Sequence, residues 1–198
     1  MKVDRNGQAA ILTEGQLKEL FDYASPKYRA VFGICLFTGC RISEALALRG
    51  EDIVNGSILF RKENTKGKNK AREVAINPTL QKYLDGADLP NIGYLFPSRS
   101  DSHQPMGSQS ADEMLNKYCD MLDIKGASTH SFRRTALTMM SNAGVPLSVI
   151  QSISGHASLD ALQRYLGVSL EQKKWRSRQL LFKYGIGTVQ QSVNYFVN

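Results

Sequence analysis

The hydrophobic period of this 198-residue chain changes twice. Before about Gly50 and again from Asn77 onward, apolar side chains recur at helical spacing; between them, Ser57 to Arg61 and Arg72 to Ile76 are short runs rich in β-branched or apolar residues. Asn64, Thr65, Lys66, Gly67, Lys68 and Asn69 separate the two runs and supply turn chemistry. The pattern predicts a mainly α fold with one small antiparallel β-sheet or hairpin whose tip is basic.

Capping signals divide the rest. Thr13 with Gln16 forms a capping box ahead of Leu17, Leu20, Phe21 and Ala24 at helical spacing. Ser25 and Pro26 start a second helix with a core stripe of Tyr28, Val31, Phe32, Cys35 and Leu36, and Gly39 suits its C-terminal cap. A short helix is predicted around Ser43 to Leu48, and Asn77-Pro78 opens another. After a Pro-, Ser- and Gly-rich loop from Asp88 to Gly107, of a length that marks mobile or functional loops, helices are predicted at 109–122, 130–143, 146–153 and 158–166, with a last basic helix over 170–184. No repeat or low-complexity linker interrupts the pattern. It reads as a short lead over 1–11, one domain over 12–184 and a tail over 185–198.

Composition excludes several classes. With 42% hydrophobic and 22% charged residues the chain can bury a core, and its longest apolar stretch, Ala30 to Phe37, is far below the roughly 20 residues a membrane span needs. Met1 to Arg5 do not begin a signal peptide, so a cytoplasmic location is expected. Cys35, Cys40 and Cys119 form neither a metal-ligand pair nor an even disulfide set and read as reduced thiols. The net charge of +7 is concentrated: six basic residues and one acid lie between Arg61 and Arg72, and Lys173, Lys174, Arg176, Arg178 and Lys183 form a second cluster. Such clusters suit a polyanion through counterion release, although an isolated run reads equally as a solvated face.

Four segments carry more than packing. In Thr38-Gly39-Cys40-Arg41-Ile42-Ser43-Glu44, the spacing lets Glu44 orient Arg41 across one helical turn, or form an ordinary surface pair with it. In Thr129-His130-Ser131-Phe132-Arg133-Arg134, His130 and Arg133 share a face at a helix start, where backbone amides favour an anion; alone, His130 reads as a structural histidine. Ser154-Gly155-His156 is followed by Arg164-Tyr165, the tyrosine nine residues beyond the histidine.

Taken in order, these segments resemble the catalytic domain of the tyrosine recombinases, the phage integrase family, over about Leu12 to Val168. The resemblance implies the catalytic core of DNA breaking-rejoining enzymes. Tyr165 matches the nucleophile that forms a 3′-phosphotyrosyl link, and Arg41 and Arg133 match the pair that binds the phosphate, whose forks meet its oxygens bidentately. His130 matches the group that assists proton transfer, and His156 the donor to a non-bridging oxygen. A hairpin lysine supplies the leaving-group proton. Lys66 fits because it follows Thr65, while Lys68 and Lys70 share the tip and can substitute for it. The resemblance leaves Lys68, Lys70, Arg72 and Arg134 to hold the duplex. Ser154 departs from the leucine usual before the Gly-His pair, a change expected to leave the site competent.

The resemblance further implies double-stranded DNA as partner, no metal or cofactor, a homotetramer on synapsed DNA with a monomer allowed when free, and a nucleoid-associated protein of prokaryotic or phage type. Members usually carry a second helical DNA-binding domain upstream, so this chain reads as a fragment or a reduced form. The tail reads either as docking on a neighbouring protomer or as packing on its own domain. Two other activities fit the same residues: type IB topoisomerase-like relaxation, and a DNA-binding module without catalysis.

Overall fold

The computed structural model describes residues 8–62 and 71–166. The predicted helix over 170–184, the tail, and Lys66, Lys68 and Lys70 lie outside the described residues. Three helices come first: α1 Glu14–Tyr23, α2 Pro26–Thr38 and α3 Ile42–Leu46. A 3-10 turn, Gly50–Asp52, leads into β1 Ile53–Val54, β2 Ser57–Phe60 and β3 Arg72–Ala75. Five helices follow: α4 Pro78–Asp85, α5 Ser108–Met121, α6 Thr129–Asn142, α7 Leu147–Ser154 and α8 Leu159–Tyr165. The fold is mainly α with one small antiparallel sheet, as the period predicts.

The helix ends follow from side-chain caps. Thr13 Oγ1 accepts from Gln16 N while the Gln16 side chain accepts from Thr13 N, and Asn77 accepts from Leu80 N. The sheet has order β1-β2-β3 with Ile53 opposite Ile58 and Phe60 opposite Arg72. The sequence pattern shows only two of these strands, because a two-residue strand is too short to show alternation.

Helix α2 is apolar nearly all round and is correspondingly buried on every side, including Val31, Phe32, Ile34 and Cys35. Phe32 stacks on Phe132 of α6 at 4.8 Å between ring centroids, and each contributes about 3–5 kcal/mol relative to alanine in a site of this kind. A second, smaller cluster joins Leu137 of α6 to Ile150 of α7, Leu162 of α8 and Leu166. Helix α6 therefore belongs to both cores, with Phe132 in one and Leu137 in the other. The residues between them lie where α2, α7 and α8 pack on α6.

The long loop after α4 is tied to the body: Leu95 and Phe96 are buried, and Leu95 N donates to Leu48 O. Cys35, Cys40 and Cys119 are free thiols, all buried. Among the described residues, no helix is long and apolar enough to cross a membrane.

Candidate active site

Glycine placement builds the first wall. Gly39, in the left-handed conformation at φ 63°, ends α2 and turns the chain so that its carbonyl points back toward α6. There it accepts from Arg133 Nη1 at 2.6 Å. Arg41 caps α3 through its backbone: its N–H donates to Glu44 Oε2 at 2.9 Å, and its Nη1 donates to Glu44 Oε1 at 3.1 Å, the one-turn pairing that the spacing allows.

Glu44 is 1% exposed and serves a second cation. Arg72 Nη2 donates to Glu44 Oε2 at 2.8 Å, with the Arg72 guanidinium 4.3 Å over the Phe60 ring. Burial of the Glu44 carboxyl opposes its ionisation, but Arg72 and then Arg41 outweigh it and hold its pKa below the usual value. Arg72 is one of the residues that the resemblance leaves to hold the duplex. The structure turns it inward, because residues 72, 74 and 76 share one face of the hairpin and Val74 and Ile76 pack on the core.

The second wall comes from α6, α7 and α8. Arg133 is 3% exposed and makes no ion pair with a carboxylate among the described residues. Its Nη2 lies 3.3 Å from both ring nitrogens of His156, and its guanidinium carbon 5.7 Å from the Tyr165 ring centroid. Burial first, and the like charge of Arg41 second, pull its pKa below the ordinary arginine value. Gly155, left-handed at φ 68°, ends α7 and swings His156 back over Arg133, where its ring lies 5.3 Å from that of Tyr165.

Tyr165 is the last residue of α8, and its hydroxyl donates to the backbone carbonyl of His130 at 3.3 Å. Burial raises its pKa, and the charges of Arg133, Arg134 and Arg41 only partly offset this, so the phenol is neutral at pH 7. His130, in the first turn of α6, has an exposed side chain. In Arg134, Nε donates to Tyr165 O at 3.2 Å and Nη1 to Ala9 O, so its guanidinium braces the end of α8.

The structure thus brings Arg41, Arg133, His156, Tyr165 and the start of α6 at His130 to one place, with Arg72 and Glu44 behind Arg41. Two guanidiniums near one another, one of them buried with no carboxylate ion pair among the described residues, can together receive a single anion. Among the described residues no group of His, Cys, Asp and Glu is arranged to hold a metal ion.

Burial and the charges of Arg133 and Arg41 push His156 down to about 4. An unfolded chain takes up the same proton near 6.5, so between about pH 6.5 and 4 the unfolded state binds more protons than the folded one. The stability this neutral ring allows is therefore complete above that window and lost on acidification through it. Thermal melts from pH 4 to 7 should show a steeper acid loss for the native chain than for His156→Gln; parallel curves for the two would contradict the assignment.

Residues 10–172 match the phage integrase family. The tyrosine recombinase XerC of Chlamydia caviae is 30% identical over 165 residues, covering 79% of this chain and 52% of that protein. Among solved structures, XerA recombinase superposes with a TM-score of 0.71 at 21% identity, covering 90% of this chain and 65% of that one. The Tn1549 transposon integrase in complex with transposon right end DNA superposes at 0.69 with 18% identity, covering 89% of this chain and 67% of that one. The chain spans about half the length of the relatives it matches in sequence.

Proposed function

The chain belongs to the phage integrase family, and from that membership and the geometry of the site we propose that it is a tyrosine recombinase, cleaving and rejoining DNA strands through Tyr165. The observation that carries the reading is Arg133: a guanidinium 3% exposed, with no carboxylate ion pair among the described residues and beside Tyr165, is a costly arrangement that an incoming phosphate relieves.

The phenolic oxygen of Tyr165 attacks the scissile phosphorus. The Oη–P bond forms, the P–O5′ bond breaks, and the product is a 3′-phosphotyrosyl link with a free 5′-hydroxyl. The phenol's proton passes to His130. In the structure the phenol rests on the His130 carbonyl, which cannot take that proton, so it must leave the carbonyl for the imidazole when phosphate is bound. Charge on the non-bridging oxygens is met by Arg41, Arg133 and His156, and Lys66 protonates the departing 5′-oxygen. Rejoining runs the same steps in reverse. The positive charge that a metal would supply at the phosphate comes here from guanidiniums, which supports a metal-independent reaction. Lys68 and Lys70 hold the duplex, the working assembly is a homotetramer on two synapsed duplexes, and the protein acts in the cytoplasm on the nucleoid.

The test is trapping of a covalent adduct. Full chain mixed with nicked duplexes tiled across the DNA flanking its own reading frame should give a detergent-resistant protein–DNA species that persists in EDTA. Tight, salt-dependent binding with every phosphate intact would replace this reading with a non-catalytic DNA binder. Plasmid relaxation without recombinant product would replace it with a topoisomerase.

A further inference from the structure

Ser154 is fully buried, and its hydroxyl lies 2.7 Å from His156 Nδ1. It also donates toward Gln151 O at 3.3 Å, and the Gln151 side chain donates to His156 O at 3.0 Å, so the histidine is held at both its ring and its backbone. The Ser154 hydroxyl has one proton, and its donation to Gln151 O leaves the oxygen to accept at His156. Arg133 Nη2, 3.3 Å from both ring nitrogens at once, lies over the ring and not in line with either lone pair. The set that keeps both Ser154 contacts is Nδ1–H to Ser154 Oγ and Ser154 O–H to Gln151 O, which leaves Nε2 with its lone pair.

That tautomer is the wrong one for donating from Nε2 to a phosphate oxygen, the role given to His156 in the recombinase reading, on which this inference rests. We propose that Ser154 is a positioning residue that reverses the His156 tautomer when phosphate enters the site. Arg133 then turns its Nη2 from the ring to the phosphate. Nδ1 gives its proton to water, Nε2 takes one from water, and the ring stays neutral throughout. The Ser154 hydroxyl rotates from acceptor to donor and satisfies the newly bare Nδ1. A hydroxyl can do this because it donates and accepts through one rotor; an aliphatic side chain at 154 does neither.

The test reads the ring directly. In full chain labelled with ¹⁵N-histidine, the two neutral tautomers and the imidazolium give three distinct pairs of ring-nitrogen shifts. Free native chain should show His156 as Nδ1–H. Saturation with orthovanadate, or with the nicked duplex that yields the adduct, should convert it to Nε2–H. Ser154→Ala should lose the fixed Nδ1–H state in the free chain and form adduct about tenfold more slowly, the fold-change of one hydrogen bond, while Ser154→Thr should restore both. Nε2–H in the free native chain, conversion to imidazolium on saturation, a ring unchanged by either probe, or native shifts and rate in Ser154→Ala would each overturn the proposal. A chain showing both ring states yet never forming adduct would remove the recombinase reading and leave the tautomer assignment standing.

Discussion

Tyr165→Phe should form no covalent adduct, a loss of at least about 10⁴-fold, while folding and binding DNA as the native chain does. The size of the effect follows from the role: no other hydroxyl on α8 is placed beside Arg133 and His156, and a phenyl ring has no oxygen to attack phosphorus. The selectivity follows from the contacts. The hydroxyl donates at 3.3 Å to the carbonyl of His130 at an exposed edge and also meets the Arg133 side chain, so its removal costs about 1–2 kcal/mol. The ring contacts to His156 at 5.3 Å and to the Arg133 guanidinium at 5.7 Å survive the change. Affinity for duplex comes from lysine and arginine contacts to many phosphates, so it should stay within about twofold with an unchanged salt slope. Adduct formation by Tyr165→Phe at any rate near native would move the nucleophile elsewhere and end the assignment.

How much of this site could be read from residues alone depends on how local each interaction is. The Arg41 and Glu44 pair lies within one helical turn, and the caps at Thr13 and Asn77 lie within three residues of the groups they serve, so spacing reveals them. The inward turn of Arg72 was also available, since strand alternation puts it on the face of Val74 and Ile76; its charge suggested solvent instead, and only Glu44, 28 residues away, explains why it can be buried. Arg134 follows Arg133 directly and so points about 100° away around α6, toward Ala9 at the far end of the chain, a partner no motif specifies. The Ser154 contact to His156 is of a third kind. Residues two apart do not face each other on a helix, and these two meet because Gly155 leaves the helical path at positive φ.

Arg133→Met should lower adduct formation by about 10³ to 10⁵-fold and yet melt no lower than the native chain. The first half follows from charge: one of two guanidiniums that meet the phosphate is gone, and the one left, Arg41, is partly neutralised by Glu44 at 3.1 Å. The second half follows from the balance of terms in the empty site. Native Arg133 holds a charge at 3% exposure, opposite Arg41 and with no carboxylate ion pair among the described residues, a desolvation cost of several kcal/mol that its 2.6 Å hydrogen bond to Gly39 O offsets only in part. Methionine keeps the volume and stem, removes the charge, and leaves the Gly39 carbonyl without that donor at a cost of about 1–3 kcal/mol. The two changes are of similar size and opposite sign. A site selected for binding an anion carries such a cost in its empty state, whereas a structural arginine does not. Paired melting curves and trapped-adduct yields separate the cases. A variant several degrees less stable that still forms adduct would make Arg133 a structural residue and return the anion site to Arg41 alone.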